Sequence, residues 1–318
     1  MAKKIAFLFP GQGAQYSGMA TDLLSSNAVK SLFDTASEIL KKDVKELLQS
    51  DADTLKRTDI SQPAITAANL AAAAFLDGQG YTPSACAGFS LGEYAALVCA
   101  GIIDIADCFS LVKTRGEVMQ KTADRLREQS GGEISAAPGM AAIVGLSPEE
   151  AEKLIAQWTS DGLENLYAAN INSPKQLVVS GTAAALTEAE NRFKEAGAKR
   201  VIRLQVAGPF HSPLMAEAAL EFEAALEAVI FRDPVIPFFS NVTGKQIVSG
   251  EDAKKLALLQ ITSPVRWVDE EAAIAASGIE ICLEAGPGKV LQGLWKDSGS
   301  EIPIFAAGTE EDIIAISV

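Results

Sequence analysis

Short, wholly apolar runs alternate along the chain with longer stretches in which alanine and leucine recur at helical spacing. Lys4 to Phe9 (KIAFLF) reads as a strand buried on both faces, and Pro10-Gly11-Gln12-Gly13 ends it sharply. Pro63 to Leu76 (PAITAANLAAAAFL) reads as a helix opened by its proline and continued in strong helix formers. Ser84 to Gly88 gives a second short strand, Leu91 to Ala100 (LGEYAALVCA) an apolar helix stopped by Gly101, and Ile105 to Lys121 a further helix. Strands and helices in this rhythm predict a parallel α/β sheet.

The pattern changes after Gln129, where SGGEISAAPG is a polar, glycine-rich connector. Beyond it the periodicity predicts strand 140–146, helix 149–158, strands 166–171 and 176–180, helix 183–196 and strand 200–206. That βαββαβ order is the ferredoxin-like arrangement. The reading is therefore a large domain from 1–135 and 207–318, interrupted by a small subdomain at 136–206. After Gly208 the α/β pattern resumes, with strands expected near 236–240, 279–283 and 303–306.

With 318 residues, 48% hydrophobic and 21% charged, the chain can bury a sizeable core. Its net charge of -14 and pI near 4.6 argue against a nucleic-acid or anionic-membrane partner, which Lys and Arg clusters would attract. The four cysteines, Cys86, Cys99, Cys108 and Cys282, lie in apolar flanks without metal-ligand spacing, so reduced core thiols are expected and no metal. The apolar run near the N-terminus is too short for a signal h-region, and a cytoplasmic protein is expected.

Chemistry concentrates at Gly88-Phe89-Ser90-Leu91-Gly92, a G-x-S-x-G sequence between an expected strand and an expected helix. Such a turn projects the serine oxygen outward, and the following helix N-terminus offers N–H groups to an oxyanion. Ser90-x-x-Glu93 also fits an ordinary capping box. A serine nucleophile needs a base, and His211 is the one histidine in the chain, set in the proline-bracketed turn Gly208-Pro209-Phe210-His211-Ser212-Pro213. No third, carboxylate member is evident from spacing.

Several stretches together resemble one family. FPGQGAQ, GFSLGEYAALVCAG, KTRGEVMQ, NINSPKQLVVSG, GPFHSPLM, SNVTG, QITSPVRW and EAGPGKVL occur in the order of the malonyl-CoA:acyl carrier protein transacylases, the FabD-like acyltransferases, from residue 5 to about 306. The resemblance implies an α/β-hydrolase-like domain with a ferredoxin-like insertion. It makes Ser90 the acylated serine, His211 its base, and Gln12 with the Leu91 N–H the oxyanion hole. Arg115 becomes the grip on the malonyl carboxylate, and Gln260 the residue whose main-chain carbonyl orients the histidine. Gln62 and Asn172 match further pocket positions, and Phe210 the bulk that crowds an α-methyl group.

One departure is Phe89, where most members carry histidine; a changed pocket wall is expected. The implied partners are malonyl-CoA, coenzyme A and acyl carrier protein, with no cofactor. A discrete polyketide acyltransferase, a serine thioesterase or esterase, and a non-catalytic carrier-binding module remain as alternatives. The resemblance implies supply of fatty acid synthesis, whose carrier proteins are acidic, so a basic patch is expected from Lys113, Lys121, Arg125 and Arg127, with Lys194, Lys199 and Arg200 on the small subdomain.

Overall fold

The computed structural model describes residues 3–316, the side chain of Ile134 excepted, so the expected domain ends at 1 and 318 lie outside the described residues. Among the described residues there are ten strands: β1 Ile5–Phe9, β2 Ala85–Gly88, β3 Gly139–Val144, β4 Leu166–Ser173, β5 Gln176–Gly181, β6 Arg200–Arg203, β7 Phe238–Ser240, β8 Lys245–Ile247, β9 Ile281–Glu284 and β10 Ile304–Ala306. They form a six-stranded sheet in the order β10-β9-β1-β2-β7-β8 and a four-stranded sheet in the order β4-β5-β3-β6.

In the larger sheet every pairing is parallel except β7 with β8. Strand β1 lies in its middle, with Phe9 opposite Gly88 and Leu8 opposite Glu284. Its uninterrupted apolar sequence follows from burial on both faces. Ile5, Phe7 and Phe9 enter the main core, whereas Ala6 and Leu8 enter a second core with Trp267 and Trp295. The turns after β1 and β2 and the segment after β7 leave the C-terminal edge of this sheet, where parallel α/β folds gather their functional groups.

The smaller sheet is antiparallel throughout, and helices Pro148–Ser160 and Ala183–Glu195 connect its strands in the order strand, helix, strand, strand, helix, strand. It has its own core, in which the rings of Trp158 and Phe193 meet edge-on at 4.7 Å. It joins the larger unit where the Ile171 N–H donates to the Val265 carbonyl at 2.7 Å and the Val265 N–H to that of Ala169 at 2.9 Å.

Three details differ from expectation. The helix expected to open at Pro63 runs Thr58–Gly78, with the proline inside it. Its first N–H, that of Thr58, is satisfied by Gln120 Oε1 at 2.8 Å, a cap supplied by a distant side chain rather than a local one. The strand expected to reach 206 ends at Arg203, and the helix expected to end at Lys121 continues to Gln129. Among the described residues, no helix is long and apolar enough to cross a membrane.

Candidate active site

The turn after β2 is tightly constrained. A Cβ on Gly88 would strike the backbone of Gly92, and one on Gly92 the carbonyl of Phe9. Both positions therefore require glycine. Between them Ser90 adopts a left-handed conformation, φ 50°, and His211 does the same at φ 55°. Such strain costs on the order of 1–3 kcal/mol per residue and persists only where surrounding contacts enforce it. Helix Gly92–Cys99 starts from Leu91 with no side-chain cap, so the capping-box reading does not hold. Glu93 is buried instead, its Oε2 accepting the Asn241 N–H at 3.0 Å and the Gln260 Nε2–H at 2.9 Å.

Ser90 Oγ lies 2.8 Å from His211 Nε2, and His211 Nδ1 lies 2.8 Å from the Gln260 carbonyl oxygen. A carbonyl can only accept, so Nδ1 carries the proton and Nε2 presents its lone pair to the serine hydroxyl. His211 is 4% exposed. Its burial, then the nearby Arg115 charge, push its pKa from 6.5 down to about 4, which keeps the imidazole neutral. The histidine turn is pinned by two more bonds. Ser180 of β5 donates to the Phe210 carbonyl, and the Ser212 hydroxyl to that of Pro209 at 2.6 Å.

Arg115 projects from helix Ile105–Gln129 into the same region and is 1% exposed, so it is no surface charge. Its Nη2–H donates to Gln260 Oε1 at 3.0 Å, and its guanidinium lies over the Tyr94 ring, 5.5 Å from the centroid. Burial lowers its pKa, while Tyr94 and Glu93 favour the charged form. Its Nε–H and the buried Gln62 Oε1 have no hydrogen-bond partner among the described residues. The unsatisfied Arg115 N–H fits an anionic acceptor, whereas Gln62 Oε1 can only accept, its Nε2 donating to Met119 Sδ at 3.4 Å.

Gln12 is half-buried in the turn after β1, and a Cβ on its neighbour Gly11 would meet the Phe89 carbonyl, so the two turns pack directly together. The Leu91 N–H stands at the positive end of helix Gly92–Cys99. Phe89 packs edge-on against Trp267, ring centroids 5.5 Å apart, and is held in the second core. Phe210 is buried beside the histidine. The Asn172 Nδ2–H donates to Gln176 Oε1 at 3.0 Å within the β4–β5 hairpin, and its Oδ1 is buried with no hydrogen-bond partner among the described residues. All four cysteines are free thiols, and burial pushes those of Cys86, Cys108 and Cys282 up, away from reactivity.

Asn241, immediately after β7, was not singled out by any spacing in the sequence. It is wholly buried, and its Oδ1 accepts the Ser90 N–H at 2.7 Å. The one signal for it is its place in the SNVTG stretch.

The expected basic patch is largely cancelled. Lys121 pairs with Glu221 at 2.7 Å, Arg125 with Glu217, Arg127 with Asp124 at 3.0 Å and Lys194 with Glu190 at 2.8 Å. Among the described residues this leaves Lys113, Lys199 and Arg200 of the set without an ion pair. Reversing the charge of Lys199 should therefore lower kcat/KM for an acidic carrier protein at low salt more than reversing that of Lys194, measured by initial rates. Equal effects would show that the ion pairs do not screen the helix cations.

Residues 6–313 match the acyl transferase domain family. The chain is 38% identical over 313 residues, 98% of its length and 95% of the relative's, to a malonyl CoA-acyl carrier protein transacylase of Bacillus subtilis. It superposes with a TM-score of 0.89 on an acyl carrier protein S-malonyltransferase from Vibrio cholerae, at 37% identity, covering 99% of this chain and 100% of the other. A malonyl-transacylase solved in complex with a type II PKS acyl-carrier protein is similar at a TM-score of 0.88 and 34% identity, covering 98% of both chains. The fold, the match along nearly the whole chain and these relatives agree: the chain belongs to the acyl transferase family, among the malonyl CoA-acyl carrier protein transacylases.

Proposed function

We propose that the protein transfers a malonyl group from malonyl-CoA to the phosphopantetheine thiol of acyl carrier protein, with Ser90 as the covalent carrier, and so supplies fatty acid synthesis. The observation that carries this is the continuous hydrogen-bond path from Ser90 Oγ through His211 to the Gln260 carbonyl, with the buried Arg115 on the Gln260 side chain. His211 Nε2 takes the hydroxyl proton as Ser90 Oγ attacks the thioester carbonyl, and Gln12 with the Leu91 N–H faces the developing oxyanion. Collapse of that intermediate breaks the C–S bond, and His211 returns the proton to the departing coenzyme A thiolate. The carrier's thiol then gives its proton to His211 and attacks the Ser90 ester, which leaves malonyl on the carrier and restores the hydroxyl. Every proton and electron pair is accounted for by these side chains and two substrates, so no cofactor enters the scheme.

Arg115 holds the malonyl carboxylate, with Gln62 beside it, and Phe210 crowds the position of an α-methyl group. A main-chain carbonyl behind the histidine takes the place of a third carboxylate. The division at 136–206 into a ferredoxin-like subdomain is supported by the separate core and strand order of the small sheet. The four free thiols fit a reducing, cytoplasmic location.

Initial rates with both substrates varied should give the parallel lines of a ping-pong reaction, with hydrolysis of malonyl-CoA much slower than transfer. Hydrolysis as fast as transfer would favour a thioesterase. The relative solved with a type II PKS carrier supports a second reading, service to a polyketide synthase. A marked preference for such a carrier over a fatty acid carrier would select it.

A further inference from the structure

Ser90 needs something to hold it. Its backbone is left-handed at φ 50° without being glycine, and it lies between the end of β2 and the start of a helix, where no strand ladder reaches it. The first turn of the helix holds its carbonyl through the Glu93 N–H at 3.1 Å, and the other groups that reach it are side chains. Its N–H donates to Asn241 Oδ1 at 2.7 Å, and its carbonyl accepts from Gln260 Nε2 at 3.0 Å. Asn241 also grips the entry to the turn, because its Nδ2 donates to the Gly88 carbonyl at 2.7 Å. One amide thus spans both sides of Phe89 and sets the path of the chain into the nucleophile.

We infer that Asn241 is a positioning residue for acyl transfer: its side-chain amide clamps the Gly88 carbonyl and the Ser90 N–H together and so aims Ser90 Oγ at His211. This rests on the reading of Ser90 as the acylated residue. The amide is fully committed. Its Nδ2 reaches Glu270 Oε1 at 2.8 Å as well as Gly88, and its Oδ1 takes a second bond from Gln260 Nε2 at 3.2 Å. Asn241 is itself anchored through its backbone, whose N–H donates to Glu93 Oε2 at 3.0 Å and whose carbonyl accepts the Arg266 N–H at 2.8 Å. Every one of the side-chain bonds requires oxygen on the Ser90 side and nitrogen on the Gly88 side. An amide meets that demand and a carboxylate does not.

Asn241→Asp tests this with nearly unchanged shape. The ionised variant keeps the acceptor for Ser90 but loses both donors, and sets a charge against the Gly88 carbonyl and Glu270. The charged and titratable groups facing it include Glu93, Glu270, Arg115 and His211, with Glu271 and Asp269 behind Glu270. Burial pushes Glu270 well up and Glu93 to about 7, so Glu93 titrates across the same pH range in parent and variant, and the comparison with the parent removes its contribution. Protonation of the introduced carboxylate would restore one donor, and its burial raises the pH at which this happens. His211, at about 4, stays neutral meanwhile.

Single-turnover acylation by malonyl-CoA should therefore be slower on the order of 10²-fold at about pH 8, the usual consequence of displacing a reacting group by about 1 Å. It should recover at least about fivefold, relative to the parent protein, as the pH falls to about 5.5. Parent-like acylation at every pH, or a deficit that does not recover on acidification, overturns the inference. The unaltered protein supplies a second measurement that needs no variant. In hydrogen exchange the Ser90 amide should be protected like those of β2, and free exchange there overturns the clamp. If the parent chain forms no adduct on Ser90, the proposed function fails, and the amide measurement still decides the clamp.

Discussion

Replacing His211 by alanine should slow malonylation of Ser90 by about 10²–10⁴-fold, the usual worth of a positioned general base. The magnitude follows from how completely the task falls on one ring. Nε2 is 2.8 Å from the serine oxygen, and the Gln260 carbonyl fixes the tautomer from the other side. Glu93, a buried carboxyl in the network, bonds Asn241 and Gln260 rather than the hydroxyl. Stopped-flow measurement of coenzyme A release would show the loss as a vanished burst, and a burst within about threefold of the parent's would remove histidine from the scheme. The pH profile of the parent carries the same information. Burial depresses the histidine from 6.5 to about 4, so the acid limb of acylation should fall near the lower value. Because the folded state takes up its proton later than the unfolded chain, burial of this ring costs stability progressively as pH falls from 6.5 toward about 4.

Replacing Arg115 by alanine should lower kcat/KM for malonyl-CoA by about 10- to 150-fold, corresponding to a charge-assisted hydrogen bond of about 1.5–3 kcal/mol. Malonyl and acetyl thioesters differ only in a carboxylate remote from the breaking bond, so the serine and histidine alone cannot tell them apart. Arg115 also donates to Gln260 Oε1 at 3.0 Å, and Gln260 in turn holds Ser90 and His211. Its removal leaves that buried oxygen unpaired and costs something with either substrate. The diagnostic quantity is therefore the malonyl-to-acetyl ratio of kcat/KM, which should fall by at least about tenfold. Arg115→Lys should restore it in part, since a point charge lacks the planar fork. An unchanged ratio would make Arg115 a support for Gln260 and nothing more.

The parts of the fold that were legible in the sequence are those with local causes. A wholly apolar run such as IAFLF marks a strand covered on both faces, and Gly88 and Gly92 mark a turn with no room for side chains. His211 could be named as the base because it has no competitor of its type. What stayed hidden depends on contacts between distant segments. Helix Thr58–Gly78 opens on a cap from Gln120. Helix Asn27–Leu40 has no side-chain cap at Ser26 and ends on Lys41 in the left-handed conformation where glycine is usual. The basic residues after Arg115 look like a patch in one dimension, but Glu217 and Glu221 lie on helix Ala216–Glu227, opposite them in space. Asn241 and Glu93 were invisible as site residues for the same reason, since their partners lie far along the chain, at separations of 151 and 148 positions.

Intact mass spectrometry of the protein mixed with malonyl-CoA, followed by peptide mapping, tests the central claim most directly. A single added malonyl group, located on Ser90, absent from Ser90→Ala and discharged by a holo carrier protein, is the expected result. An adduct on another residue, or none on protein with Ser90 intact, would contradict the account.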